Sequence, residues 1–212
     1  MATTDIVIVG AGGFAREVYA WLKDGLPSDL RIKGFLSPNP KDLEGFDIEE
    51  PILGSEKEYV PTNSDRFVLA IGHMDVRVNV ANFLKSRGAK FYTFVHNSAV
   101  VSPTASLGEG VVVCPFALVS PNAQVDDFAL INFYASVAHD AHVGEFSVLS
   151  PYATLNGFAQ LGSESFMGTH STIVPGISVG RRVKIAAGTV ALKSVADGNL
   201  LMGAKAKSFK IY

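Results

Sequence analysis

The chain has 212 residues, 48% of them hydrophobic, and a formal charge of −2, enough for two modest domains with cores of their own. Near-neutral charge without a Lys/Arg cluster argues against nucleic acid as the main partner. The single cysteine, Cys114, leaves no disulfide framework or thiolate metal cage within the chain and is expected to be an inert thiol.

No apolar run approaches the roughly 18 residues of a membrane span. The N-terminus carries Asp5 and breaks at a glycine turn, unlike a signal peptide, so a soluble cytoplasmic protein is expected. Residues 5–9, rich in β-branched side chains, read as a short buried parallel strand. They run into Gly10-Ala11-Gly12-Gly13 and then a helix over 14–23 with Val18, Trp21 and Leu22 apolar. Strand, glycine turn and helix is the order in which free N–H groups at a helix start meet a phosphate. Arg16, rather than glycine, follows Gly13 by three, which departs from a dinucleotide fingerprint and favours a nucleotide diphosphate over NAD.

Residues 31–36 read as a second strand ended by Ser37-Pro38-Asn39-Pro40, and 51–54 as a short edge segment or loop. Residues 66–71 form a third strand closing on Gly72-His73. A helix follows over 75–87 with Val76, Val80, Phe83 and Leu84 on one face, and 90–95 is the last strand before a change of pattern. Strands alternating with helices imply a small Rossmann-like parallel sheet with ligands at the carboxyl ends of its strands. Gly10–Gly13, residues 36–39 and Gly72-His73 are then expected along one rim.

From Val95 to Ala191 one residue in six is apolar without a break in register, and four residues after most of these comes a small one such as Ala117, Ala135 or Ala153. Neither a 3.6-residue nor a two-residue period produces this. A period of six with turn formers between the beats (Gly108, Asn122, Gly144, Asn156, Gly162, Gly168) marks a parallel β-helix. Three hexads make one triangular coil, so residues eighteen apart stack. The large residue fills the centre and the small one the tighter corner. Val111, Ile177, Val183 and Thr189 depart from the small position near the two ends, where a looser wall is expected.

His139 occupies the third slot of its hexad, facing outward, with Asp140 beside it. A histidine takes a proton near neutral pH, and a carboxylate fixes its tautomer and stabilises the imidazolium. His142 reads as a surface turn residue, and His170 as either surface or groove lining.

The chain resembles the left-handed β-helix, hexapeptide-repeat acyltransferases, in particular the nucleotide-sugar acetyltransferases of bacillosamine and perosamine type and the sialic-acid O-acetyltransferase-like branch. The similarity is carried by Gly10-Ala11-Gly12-Gly13-Phe14-Ala15-Arg16-Glu17-Val18, by Ala70-Ile71-Gly72 with Arg77, and by residues 94–101. Asn132 with His139-Asp140 and the tail 203–207 complete it. The resemblance implies a nucleotide-sugar-binding domain over 1–94, a left-handed β-helix acetyltransferase domain over 95–196 and a tail over 197–212.

It further implies acetyl-CoA as co-substrate without a metal, and a homotrimer with three sites between neighbouring prisms. His139 would be the general base, Asp140 its orienting partner and Asn132 a polar residue beside the acceptor. Gly157, one coil on, would offer its N–H to the thioester oxygen, and Ala187 and Lys207 would join it in acyl-CoA binding. The sugar nucleotide would meet Gly10, Gly12, Gly13, Phe14, Ser37, Gly72, His73 and Arg77.

Departures are Val148 where a second histidine is frequent, Ser37-Pro38-Asn39 where an acidic pair is frequent, Asn97 for proline at the junction, and Lys205 for the tail proline. Lys205 and Lys207 read as solvated tail charges or as contacts to a CoA phosphate. N-acetylation of an amino sugar is the leading expectation and O-acetylation the alternative. A zinc hydratase using His139, His142 and His170, or a non-catalytic sugar-nucleotide scaffold, is a lesser one.

Overall fold

The computed structural model describes residues 4–203. The first part is a three-stranded parallel sheet of β1 (Thr4–Val9), β2 (Leu30–Leu36) and β3 (Asp65–Leu69) in the order β2-β1-β3. Two helices join it, α1 (Gly13–Gly25) and α2 (Met74–Ser86). β1 is central because it is apolar on both faces, Ile6 to Val9 being buried. No described helix is long and apolar enough to cross a membrane.

Residues 90–95 do not form the single strand expected of them. Phe91 makes an isolated bridge to Phe67 of β3, while Phe94–Val95 is already the first rung of the second part. One segment is thus shared between two sheets, and the boundary falls just before Phe94.

The second part is a parallel β-solenoid of two-residue rungs on three faces. Face one runs from Phe94–Val95 through Val112–Val113, Leu130–Ile131, Val148–Leu149, Phe166–Met167 and Lys184–Ile185 to Leu200–Leu201. Face two runs from Val100–Val101 to Val190–Ala191, and face three from Ser106–Leu107 to Ser178–Val179. Rungs pair in parallel at a spacing of eighteen, as in Leu130↔Val148 and Ser136↔Thr154. The last coil is two residues shorter, with Lys184 pairing Leu200 and Val179 bridging Val195. The solenoid therefore continues past residue 196, where the hexad pattern alone would end it.

The beat residues and the small ones fill one core, including Val113, Ile131, Val137, Leu149, Leu155, Ala135 and Ala153. Val111, Val183 and Thr189 are buried as well, so these three fill the corner rather than loosen it, while Ile177 is only partly buried against the core.

Each corner follows one grammar. The fourth residue of every hexad from 110 to 188 has positive φ. It is left-handed at Phe116, Asn122, Phe128, Tyr134, Asp140, Phe146, Tyr152, Phe158, Glu164, His170 and Arg182, and glycine fills it at Gly110, Gly176 and Gly188. An L residue there costs on the order of 1–2 kcal/mol. Its N–H is compensated by the third-slot carbonyl of the coil before, as in Phe158 to His139 (3.1 Å) and Asp140 to Pro121 (3.1 Å).

The expected turn glycines have a different task. At Gly108, Gly144, Gly162 and Gly168 a Cβ would come within 2.3–2.6 Å of atoms of the next coil, so they provide clearance rather than a left-handed angle. Asn122 is the one expected turn former that does sit at positive φ.

The sheet domain rides on face one. Ala15, Val18 and Leu22 of α1 share a core with the outward residues Phe94, Val112, Leu130 and Val148, and with Cys114. Burial pushes the Cys114 thiol well above its ordinary range, in keeping with an inert thiol. Phe91, Phe128 and Phe146 pack beneath the other side of the domain. Face two is left open, with Val100, Leu118 and Val190 exposed.

Candidate active site

His139 and Asp140 occupy the corner between faces two and three. The site follows from the corner grammar: the third slot projects His139 into solvent, and the left-handed fourth slot turns Asp140 back beside it. His139 Nδ1 donates to Asp140 Oδ2 over 2.9 Å. A second donor, Asn122 Nδ2, reaches Asp140 Oδ1 from the coil before at 3.3 Å. These hydrogen bonds, that of His139 first, hold the Asp140 carboxyl below its ordinary range. An Nδ1–H committed to a carboxylate leaves Nε2 as the proton acceptor.

Gly157 stands in the same slot one coil on. A Cβ built there would lie 2.7 Å from both Cε1 and Nε2 of His139. Only hydrogen at that position lets the imidazole lie flat against the backbone. Phe158 meets the ring edge-on at 5.3 Å, giving it a second wall.

The Gly157 N–H has no partner among the described residues. The coil does not need that N–H, because proline occupies the third slot at 103, 115, 121, 151 and 175. A free donor thus lies beside the His139 imidazole, as transition-state stabilisation of an oxyanion requires.

Asn132 lies at the preceding corner, between faces one and two. Its side-chain oxygen accepts the Phe133 N–H at 2.8 Å, and within one chain it has no hydrogen bond to His139. Ala187 is exposed on that same corner, three coils further along the solenoid. Lys205 and Lys207 lie outside the described residues. His142 sits on face three with Nε2 on Asp126 (2.8 Å), and His170 stacks on Tyr152 at 4.7 Å on the corner between faces one and two. Within one chain His139, His142 and His170 therefore point to three different places. Among the described residues no three metal-ligating side chains converge.

The rim of the sheet collects most of the other expected residues. Gly10, with φ +111, lies where a Cβ would be 2.9 Å from the Ala70 carbonyl, so β1 and β3 close up at their carboxyl ends. Gly12 precedes the first turn of α1 and Gly13 begins it. Phe14 packs edge-on to Trp21 at 6.3 Å.

Arg16, which sequence reasoning treated as a departure, places its guanidinium 3.8 Å from the Phe46 ring centroid, beside the glycine turn. Ser37 donates to Asp42, which also takes the Asn39 amide at 2.6 Å. An acidic group therefore does stand in this loop, five residues past Ser37 rather than beside it. Gly72 and His73 border a cleft of about 360 Å³ between the start of α2 and the solenoid residues Glu164, Phe166, Arg182 and Lys184.

Arg77 is a correction. Expected with the substrate set, it is fully buried. Its guanidinium donates to the carbonyls of Leu69 (3.2 Å), Ile71 (3.1 Å) and, across the domain boundary, Phe128 (2.6 Å). Burial lowers its pKa to about 10, which keeps it charged at neutral pH. It is a strut between the domains, and α2 buries Arg77, Ala81 and Leu84 while Val76 and Phe83 face outward.

With this geometry in view, residues 5–84 match the model of the PglD N-terminal domain. The acetyltransferase domain of PglB from Neisseria gonorrhoeae is 28% identical, with 98% of this chain and 100% of that one covered at a TM-score of 0.84. In sequence and fold the chain is thus similar to nucleotide-sugar N-acetyltransferases, in its N-terminal part and along its whole length.

PerB from Caulobacter crescentus in complex with CoA and GDP-perosamine is 27% identical over 94% of each chain with a TM-score of 0.82. UDP-N-acetylbacillosamine N-acetyltransferase of Bacillus subtilis is 30% identical over 113 residues. That match spans about half of either protein (51% of this chain and 50% of the relative). Both structures share the fold described above, a small parallel sheet with helices followed by a parallel β-solenoid.

Proposed function

We propose that the protein transfers the acetyl group of acetyl-CoA to the amino group of a nucleotide-linked amino sugar in the cytoplasm, with His139 as general base. The observation that carries this is the His139–Asp140 pair at 2.9 Å, with the free Gly157 N–H against the same imidazole. The acetyltransferase domain of PglB, 27% identical at a TM-score of 0.85, is described in complex with acetyl coenzyme A, and PerB with CoA and GDP-perosamine.

In this reading the substrate amine attacks the thioester carbonyl, forming a C–N bond as His139 Nε2 takes the amine proton. Gly157 N–H donates to the carbonyl oxygen as it becomes an oxyanion. The C–S bond then breaks and the departing CoA thiolate takes the proton from the imidazolium. Asp140 stays ionised and steadies that cation.

The pair and the sugar-nucleotide rim lie on opposite sides of one prism: the sheet domain covers face one, and His139 is on the corner opposite it. A site therefore needs two copies, the rim of one beside the pair of the next. The open face two, with Val100, Leu118 and Val190 exposed and bordered by the stacked Phe116, Tyr134, Tyr152 and His170, supports a homotrimer joined there. Asn132 of one chain would then approach His139 of its neighbour, with Ala187 further along the same seam.

Replacing His139 with Ala is expected to lower kcat by about 10²–10⁴ with unchanged sedimentation and CoA binding, measured by release of free CoA with amino- and hydroxy-sugar nucleotides. Full activity in that variant would overturn the mechanism. Turnover of hydroxyl acceptors alone would overturn N-acetylation.

A further inference from the structure

The carboxyl ends of the three strands enclose a crevice of about 210 Å³ distinct from the larger cleft beside Gly72. Its walls are aliphatic, from Val9, Leu36, Ile71, Val76 and Val80, and Ser37 and Glu56 supply its polar groups. The exposed apolar stripe of α2 that packing left unexplained finds a use here, since Val76 and Val80 form one wall.

Glu56 differs from the acids around it. Asp42 is engaged by Ser37 and Asn39, Glu50 by Tyr19 and Lys23, and Glu58 by the hydroxyl and N–H of Ser55. Among the described residues Glu56 alone in this group has neither a hydrogen bond nor an ion pair, although it is only partly exposed. Its carboxylate oxygens are therefore free to accept hydrogen bonds from a ligand in the crevice.

The chemistry of the slot narrows that ligand. Flat aliphatic walls suit a planar ring better than a ribose, whose hydroxyls need several polar partners. A carboxylate accepts two parallel N–H bonds from one edge. Guanine presents such an edge, with N1–H beside the N2 amino group. Uracil and thymine offer a single N3–H between two carbonyl oxygens, which a carboxylate repels.

We propose that this crevice is the nucleobase slot, that Glu56 reads the base, and that the protein therefore selects guanine nucleotides over uracil or thymine ones. The inference rests on the sugar-nucleotide reading above and adds the identity of the nucleotide.

Calorimetric titration of the full chain with GDP and with UDP tests it. GDP is expected to bind roughly 10²- to 10⁴-fold more tightly, the range for two hydrogen bonds to a charged acceptor. Glu56→Gln is expected to abolish most of that preference while leaving acetyl-CoA affinity and thermal stability unchanged. UDP binding as tight as GDP, or a loss in Glu56→Gln that is equal for both nucleotides (as a ribose contact would give), overturns the base assignment and leaves the sugar-nucleotide reading standing. Absence of binding by every nucleoside diphosphate, with acetyl-CoA still bound, overturns both.

Discussion

Gly157 is fixed by its neighbour rather than by its backbone angle, and that decides what its replacement does. Alanine at 157 adds a carbon 2.7 Å from two atoms of the His139 ring, and the exposed imidazole yields before the coil does. Gly157→Ala is expected to lower kcat by about 10²-fold, the effect of misplacing a general base, with a melting temperature within a few degrees of the parent. An equal loss from Gly144→Ala, where the clash is with backbone, would come with unfolding instead, so circular dichroism separates the two. The third-slot position of His139 and the eighteen-residue step to Gly157 were legible in the hexads. Asp140 as a left-handed residue, and the Asn122 amide that holds it, were not, because a left-handed angle at an aspartate leaves no mark on the periodicity.

Among the elements, β3 and α2 each bury a charge. Asp65 is buried at the start of β3, where Lys33 of β2 donates at 2.7 Å, and the Thr62 N–H and Tyr59 hydroxyl complete its shell at 2.7 Å and 3.0 Å. Burial alone would raise its pKa, but these donors together outweigh it and hold the carboxyl below its ordinary value. Lys33 is pushed up to about 12 against its own desolvation, by the same contacts.

A lowered carboxylate pKa contributes stability that is fully present above the unfolded value of about 4. That stability is lost as pH falls through the lower folded value. Asp65→Asn is therefore expected to cost about 3 kcal/mol at pH 7 by urea denaturation, with the difference shrinking below about pH 4. Arg77→Lys is expected to cost a similar amount, because one ammonium cannot span the Leu69, Ile71 and Phe128 carbonyls. Limited proteolysis should then release the sheet domain from the solenoid.

Both helices and the first three strands were legible from their apolar runs to within two residues at either end. The role of Arg77 was not, since a buried arginine and a ligand-binding one look alike until the carbonyls around it are placed. The split of residues 90–95 was hidden for a similar reason: a run that serves two sheets carries the signature of one.

At the scale of the whole molecule, the sheet domain and the His139 corner face opposite ways, and that separation is testable by mixing. A chain lacking the imidazole (His139→Ala) and a chain with a blocked rim (Gly12→Val, where a Cβ meets nothing within 4 Å and the fold is kept) are each expected to be inactive. Unfolded and refolded together, they should recover a fraction of parental activity, because some interfaces pair an intact rim with an intact base. No recovery, with mixed oligomers demonstrated by mass spectrometry, would mean that each site is built within one chain. Charge on face two, as in Leu118→Asp, is expected to produce monomers with little activity.

The unused third-slot N–H has one more consequence, in the time domain. Ladder amides such as those of Asn156 and Phe158 are tied to the neighbouring coil, and their protons should exchange with deuterium only when the coil opens. The amide of Gly157 sits between them in sequence yet belongs to no ladder. Its proton should wash out far ahead of both neighbours in the free protein and slow selectively once a thioester is bound. Among the third-slot protons, which the ladders leave unused, that of Gly157 would then stand out as the one that slows with the thioester bound.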